Sequence, residues 1–350
     1  MTKGRGKGST KIIDLTGTEP PWNPAVIAVW NRCQRLASSD PDVWRCPEPE
    51  GDGRLRSALA CQLGVPADRL VVTAGVRACA QVIGEAHVTV RLERPGFSGI
   101  ASALRTAGAD VTSCSWGEML REQNADQRPA TLWLTSPGRN PDGRSLAEDE
   151  RQVLSRRRVK GARIVVNDIY RWHCVDNKAI PGATLVGSLS KIAGSGCRLG
   201  WLVLAHPLDE QVVSRIAARP PALWQRAWAY FLEETGLCPF RRGQIARCLA
   251  ARDAFRSGAE SWLPRSARHA DGPSVLLSFP RLAETDLIDR FRRVGVRASA
   301  GSDFACTVSS ARLCFSNVSE ADARAAAHRL AALQDHCHDG AAAPDLSGAR

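Results

Sequence analysis

The chain has 350 residues, with 47 Lys and Arg against 36 Asp and Glu for a formal net charge of +11. That length can bury one large domain or two of moderate size. No window approaches the roughly 18 consecutive apolar residues of a membrane span, and "MTKGRGKGSTK" carries no apolar stretch behind its charges, so no membrane association, no secretory signal and a cytoplasmic location are expected.

The 12 cysteines run from Cys33 to Cys337 without a C-x-x-C pair, the usage of small apolar residues in a reducing compartment. "HCH" at 336–338 has a metal-like look. It lies in a tail, 336–350, whose composition predicts disorder, and no further ligand is visible, so no metal is expected. The densest basic run, "LSRRRVKGAR" at 154–163, reads as a solvated helix end. No zinc-finger, RNP or basic-zipper pattern accompanies it, and no nucleic-acid partner is expected.

Residues 1–40 are expected to form an N-terminal arm. In chain order, "RLVVTAG" (69–75), "HVTVRLERP" (87–95), "ADVTSCSW" (109–116), "TLWLTSP" (131–137), "RIVVND" (163–168), "TLVGSLS" (184–190) and "GWLVLAH" (200–206) read as strands. Helical patterns such as "VRACAQVIGEA", "SGIASALRTAG" and "SLAEDERQVLSRRR" lie between several of them. This alternation predicts an α/β fold with a doubly wound, mostly parallel sheet over 41–206, binding its ligand beyond the carboxyl ends of the strands. "RPPALWQRAWAYFLEETG" then opens on two prolines and continues as a helix with an aromatic packing stripe. A helix near 240–260, the strand "SVLLSFP", the helix "TDLIDRFRRVG", the strand "ARLCFSN" and the helix "SEADARAAAHRLAALQ" complete a smaller α+β domain placed at 207–335.

One loop carries chemistry. In "VGSLSKIAGSGCRLGW" (186–201), Lys191 is the only charged side chain from Gly182 through Cys197, and Ser188, Ser190, several glycines and Arg198 surround it. Glycines admit close backbone approach, and hydroxyls with a guanidinium bind an anion, most naturally a phosphate. A lysine beside such a site, its charge disfavoured by burial, can act as an imine-forming amine. Imine and phosphate anchor together point to pyridoxal phosphate.

The segment resembles the S-x-S-K-x(6,7)-R-x-G signature of the class I/II aminotransferase family, the fold-type I pyridoxal-phosphate enzymes. Other segments resemble the family's elements in the same order, from about Ile13 to Gln334. "VVTAGVRACA" is similar to T-x-G-x-x-x-A, which implies that Thr73, Gly75 and Val76 cradle the cofactor phosphate with Ser188, Ser190 and Arg198. "LERPGFSGIASAL" resembles E-x-P-x-[YF] and implies that Phe97 stacks on the pyridine ring. "LTSPGRNPDG" resembles T-S-P-x-N-P-T-G with one extra residue, giving Asn140 the contact to the phenolic O3′. "IVVNDIYRW" implies that Asp168 pairs with the ring nitrogen and Tyr170 donates to O3′. "ASAGSDFACTVSSARLCFSN" resembles the segment whose arginine grips the substrate α-carboxylate, here Arg312. "IDLTGTEPPWNP" resembles the arm over the active site and implies that Trp22 and its neighbours line the substrate entrance.

Two spacings, Asp168 to Tyr170 and Lys191 to Arg198, are similar to the aminotransferase-type domain of MocR regulators. The chain begins almost directly with the arm, without their helix-turn-helix domain, so the expectation is an enzyme and not a transcription factor. The resemblance implies a homodimer that acts on amino acid and keto acid substrates by transamination in amino acid metabolism and biosynthesis, with Lys191 linked to the cofactor and serving as proton carrier. Elimination, cyclisation and decarboxylation share the chemistry up to the α-carbanion, and Arg312 argues mildly against decarboxylation; a non-catalytic regulatory protein is the remaining alternative. There are two departures. Cys46 stands where family members commonly carry a tyrosine reaching the other subunit's phosphate, and the segment from Gly75 to Phe97 is short.

Overall fold

A computed structural model describes residues 11–85, 88–121, 130–175, 178–206, 213–215 and 219–336. After a short arm strand, β1 (Ile13–Asp14), seven strands form the main sheet: β2 (Leu70–Thr73), β3 (Thr89–Glu93), β4 (Asp110–Cys114), β5 (Thr131–Thr135), β6 (Arg163–Asn167), β7 (Thr184–Ser188) and β8 (Gly200–Val203). Each coincides with an expected strand. Their spatial order is β2-β8-β7-β6-β5-β3-β4, with β8 antiparallel to β2 and β7 and the other pairs parallel.

Central strands such as β5, "TLWLT", are buried along their whole length, as a sheet covered on both faces requires. Alternation sorts side chains to opposite faces. Val71 and Leu202 meet the helices α3 (Val76–Ile83) and α4 (Ser98–Thr106). Leu70, Val72, Trp201 and Val203 meet α1 (Pro24–Ser38), α2 (Gly53–Leu63) and Ala222–Thr235 on the other side. The helix Glu148–Val159 packs over β6, and its basic end is only partly solvated: Arg157 is buried and donates to the Met119 carbonyl.

The second sheet has three antiparallel strands in the order Ser299–Ala300, Ser310–Cys314 and Ser274–Ser278, backed by the helices Ala246–Gly258, Glu284–Arg293 and Glu320–Leu330. The domain layout differs from the expected one in two places. The helix Ala222–Thr235, placed beyond the prolines in the small domain, packs instead on α1 and α2 in the large-domain core, because Trp228 and Phe231 meet Trp30 there. The arm starts in the small domain's core, where Ile13 and Leu15 are buried and Ile13–Asp14 pairs in parallel with Val296–Arg297. Residues 1–10, the junction at 207–212 and most of the tail, including Cys337 and His338, lie outside the described residues. No helix among the described residues is long and apolar enough to cross a membrane.

Candidate active site

The site gathers beyond the carboxyl ends of the sheet strands. Past β6, Asp168 is buried; its Oδ2 accepts from Arg171 Nη1 at 2.8 Å, while its Oδ1 is buried without a partner. Burial pushes the Asp168 carboxyl up to about 6 against the opposing pull of the Arg171 charge and of the nearby Trp201 indole. Gly187 on neighbouring β7 makes room for that carboxylate, since a Cβ there would stand 2.5 Å from Asp168 Oδ1.

The next turn carries Tyr170 and His173, both buried, with rings edge to face at 5.8 Å. They line a small cavity with Lys191, Ser190 and Arg312, roofed by Gly17, Glu19 and Pro20 of the arm. Lys191 sits on a single helical turn, Ser190–Ala193, and is exposed, not buried as the loop's small residues suggest. Arg312 is buried: its Nε donates to Ser274 Oγ at 3.2 Å, its Nη1 to the Thr16 carbonyl at 3.5 Å, and the Phe304 ring lies 5.1 Å from the guanidinium. Among the described residues no carboxylate lies within ion-pair distance of Lys191, Arg198 or Arg312.

Arg198 marks the other end. It adopts a left-handed conformation, φ 47°, and donates to the Ala74 carbonyl at 2.6 Å, which brings its guanidinium to Gly75 at the start of α3. Val76 is the first residue of that helix, so its amide belongs to the unsatisfied N-terminal turn. Thr73 acts differently from expectation. Its hydroxyl lies 3.3 Å from both the Gly75 carbonyl and the Cys79 thiol, so it shapes the turn from within. Ser188 Oγ accepts from the Ser190 amide at 3.3 Å and steadies the lysine turn.

Phe97 and Asn140 stand outside the lining of the Lys191 cavity. Phe97 is half-exposed, and the adjacent Gly96 amide donates to the Phe304 carbonyl at 2.9 Å, tying this loop to the small domain. Asn140 Oδ1 is buried without a partner. The extra residue of its loop is absorbed by Gly138 at φ 69° and by Arg139, whose buried guanidinium pairs with Asp142 and lies 4.4 Å from the Trp116 ring. Trp22 departs from its expected place at the entrance. Its ring packs among Trp30, Trp228 and Phe240 and its indole donates to Ala193, because an indole gains more in that aromatic cluster than beside polar groups. Its neighbours Glu19 and Pro20 reach the cavity. His173 is a site residue that motif reasoning misses; it lies three positions after Tyr170, the one available clue. Cys46 is an exposed free thiol.

A family model described as aminotransferase class I and II matches residues 10–330. The chain belongs to the class I and II aminotransferase family. It is 24% identical over 308 residues to the aminotransferase tdiD of Emericella nidulans, across 73% of this chain and 69% of that one. It is also 24% identical over 233 residues to YdfD, an uncharacterized HTH-type transcriptional regulator of Bacillus subtilis, across 59% of this chain and about half (48%) of the regulator. The structure of LysN, an α-aminoadipate aminotransferase of Thermus thermophilus, superposes with a TM-score of 0.76 at 21% identity over 92% of both chains, which establishes the fold-type I architecture.

This aminotransferase is a pyridoxal-phosphate enzyme, and its residues fit that cofactor. Among the described residues Asp168 Oδ1 is a buried acceptor outside hydrogen-bond geometry of any donor, a place a ring N–H would fill, and Lys191 and Arg198 have no carboxylate within ion-pair distance.

Proposed function

We propose that the protein transfers the amino group of an amino acid to a keto acid, with Lys191 as the proton carrier. The observation that carries this reading is the shared cavity of Lys191 and Arg312, two basic side chains of different chemistry that have no carboxylate within ion-pair distance among the described residues. Pyridoxal phosphate supplies the carbonyl that takes up the amino group and a ring that delocalises the electrons of the α-carbon.

The residues divide the remaining work. Arg312 binds the α-carboxylate through Nη2, since Nε and Nη1 are held by Ser274 and Thr16. Lys191 Nζ would take the proton from the substrate α-carbon and hold it for return. Asp168 Oδ1 would accept from the ring nitrogen and favour its protonated form. Tyr170 and Asn140 would hold the phenolic oxygen, Phe97 would cover the ring, and Arg198 with the amides of Gly75 and Val76 would take the phosphate, assisted by Ser188 and Ser190. Glu19 holds the arm over the cavity by accepting from the Ser195 amide at 2.7 Å. On family grounds we also infer a homodimer acting in the cytoplasm.

A panel of amino acids added singly to the cofactor-loaded protein tests the reaction. Conversion of the bound cofactor to its amine form, with the matching keto acid released, is the expected result. Release of pyruvate or another elimination product without that conversion would overturn transamination.

A further inference from the structure

His173 is 5% exposed, lines the cavity with Lys191 and Arg312, and stands edge to face with Tyr170. Among the described residues neither of its ring nitrogens has a hydrogen-bond partner, and Nδ1 is fully buried. Leaving a buried polar atom unpaired costs about 1–3 kcal/mol, a cost that a phenylalanine in the same place would avoid. Burial, then the charges of Lys191 and Arg252, keep the imidazole neutral at neutral pH, so it offers one N–H donor and one acceptor.

The other polar side chains of the cavity are committed. Both Glu19 oxygens are taken by Ser195, one by its amide and one by its hydroxyl. Cys314 Sγ and Ser316 Oγ lie 3.0 Å apart and bond to each other. With Tyr170 and Ser190 serving the cofactor and Arg312 the α-carboxylate, His173 is left for the rest of the substrate. Charge narrows the choice. Among the described residues Arg312 is the one arginine on the cavity wall, and nearby Arg252 is held by Asp253 at 2.9 Å, so a second carboxylate meets no free guanidinium. A cationic side chain meets the charges of Lys191 and Arg252.

We propose that His173 reads the substrate side chain and selects amino acids with an uncharged hydrogen-bonding group, a hydroxyl or an amide. This rests on the roles given to Lys191 and Arg312 and names the substrate class of their site. A site whose buried polar group needs a partner on the substrate rejects the analogue that lacks one.

The test adds near-isosteric pairs, threonine with valine and asparagine with leucine, to the cofactor-loaded protein. Apparent affinity is read from the absorbance change of the bound cofactor, with kcat and KM alongside. The wild type is expected to favour the polar member of at least one pair about tenfold to a hundredfold, the range for one buried hydrogen bond left unmade. His173→Phe should collapse that ratio, mainly through KM, and His173→Asn, which keeps a donor and an acceptor, should restore part of it. Titration of cofactor-free protein should give one pyridoxal phosphate affinity for all three. No pair preference in the wild type, a preference that survives His173→Phe, a stronger response to acidic or basic amino acids, or a loss of cofactor affinity in both variants would overturn the proposal. The absorbance response is read whether transamination or elimination follows. A His173-dependent preference without conversion to the amine form sinks transamination and leaves this inference standing, whereas conversion without that preference sinks this inference alone.

Discussion

The indole of Trp22 donates to the carbonyl of Ala193 at 2.9 Å, joining the N-terminal arm to the turn that presents Lys191. Two residues on, the Ser195 amide donates to Glu19. The arm is thus fastened on both sides of Gly194, and its position and that of the lysine turn depend on each other. Trp22→Ala should cost about 3 kcal/mol, the range for removing a large packed aromatic side chain. Chemical denaturation reads that loss, and a raised KM for the amino acid should accompany it because Glu19 and Pro20 then lose their anchor.

Gly17 bears directly on the carboxylate grip. It has φ +93°, and a Cβ there would come within 3.0 Å of Cys314 Sγ and 3.3 Å of Arg312 Nη2. Gly17→Ala is expected to raise KM for the amino acid about tenfold while cofactor affinity stays unchanged, since a strained conformation of this kind costs on the order of 1–3 kcal/mol and displaces the one free guanidinium nitrogen. Steady-state kinetics with a parallel cofactor titration checks the separation.

Asp168 makes function oppose stability. Its folded-state pKa, about 6, lies above the unfolded value near 3.8. Below both values the group is protonated in either state and costs nothing. Between them the unfolded chain ionises first, so stability falls as pH rises, and above about 6 the full cost is in place. A shift of that size corresponds to roughly 3 kcal/mol. Asp168→Asn should therefore stabilise the cofactor-free protein at pH 7.5 by up to that amount, with the gain vanishing below about pH 4, while weakening cofactor binding. Urea midpoints across pH provide the check.

His173 gives the opposite slope. Burial, then the nearby charges of Lys191 and Arg252, push its imidazole down to about 4. The unfolded chain takes up a proton as pH falls through about 6.5 while the folded one does not, so stability is lost from there down to about pH 4. His173→Phe should flatten this part of the curve, and an unchanged slope would assign the acid sensitivity elsewhere.

Much of this was legible in the sequence, for identifiable reasons. The seven strands of the main sheet are short apolar runs whose burial on both faces leaves a plain signature, and "TLWLT" is one of them. Lys191 stood out because a lone charge among serines and glycines is chemically conspicuous. Sequence pattern failed where tertiary packing decides. The aromatic stripe of Ala222–Thr235 signals a packing face but not its partner, which proved to be α1. Trp22 fits an entrance and a core equally well by composition, and only the aromatic cluster around it settles the matter. His173 carries no motif, since its place in the site arises from residues distant in sequence, Lys191 and Arg312, that line the same cavity.

The central claim is that Lys191 bonds the cofactor and carries the proton. Borohydride treatment of the loaded protein, followed by proteolysis and mass spectrometry, measures it most directly. The account predicts a single fixed cofactor on the peptide containing Lys191 and none in Lys191→Ala. A fixed cofactor on any other lysine, or one that persists in Lys191→Ala, would contradict it.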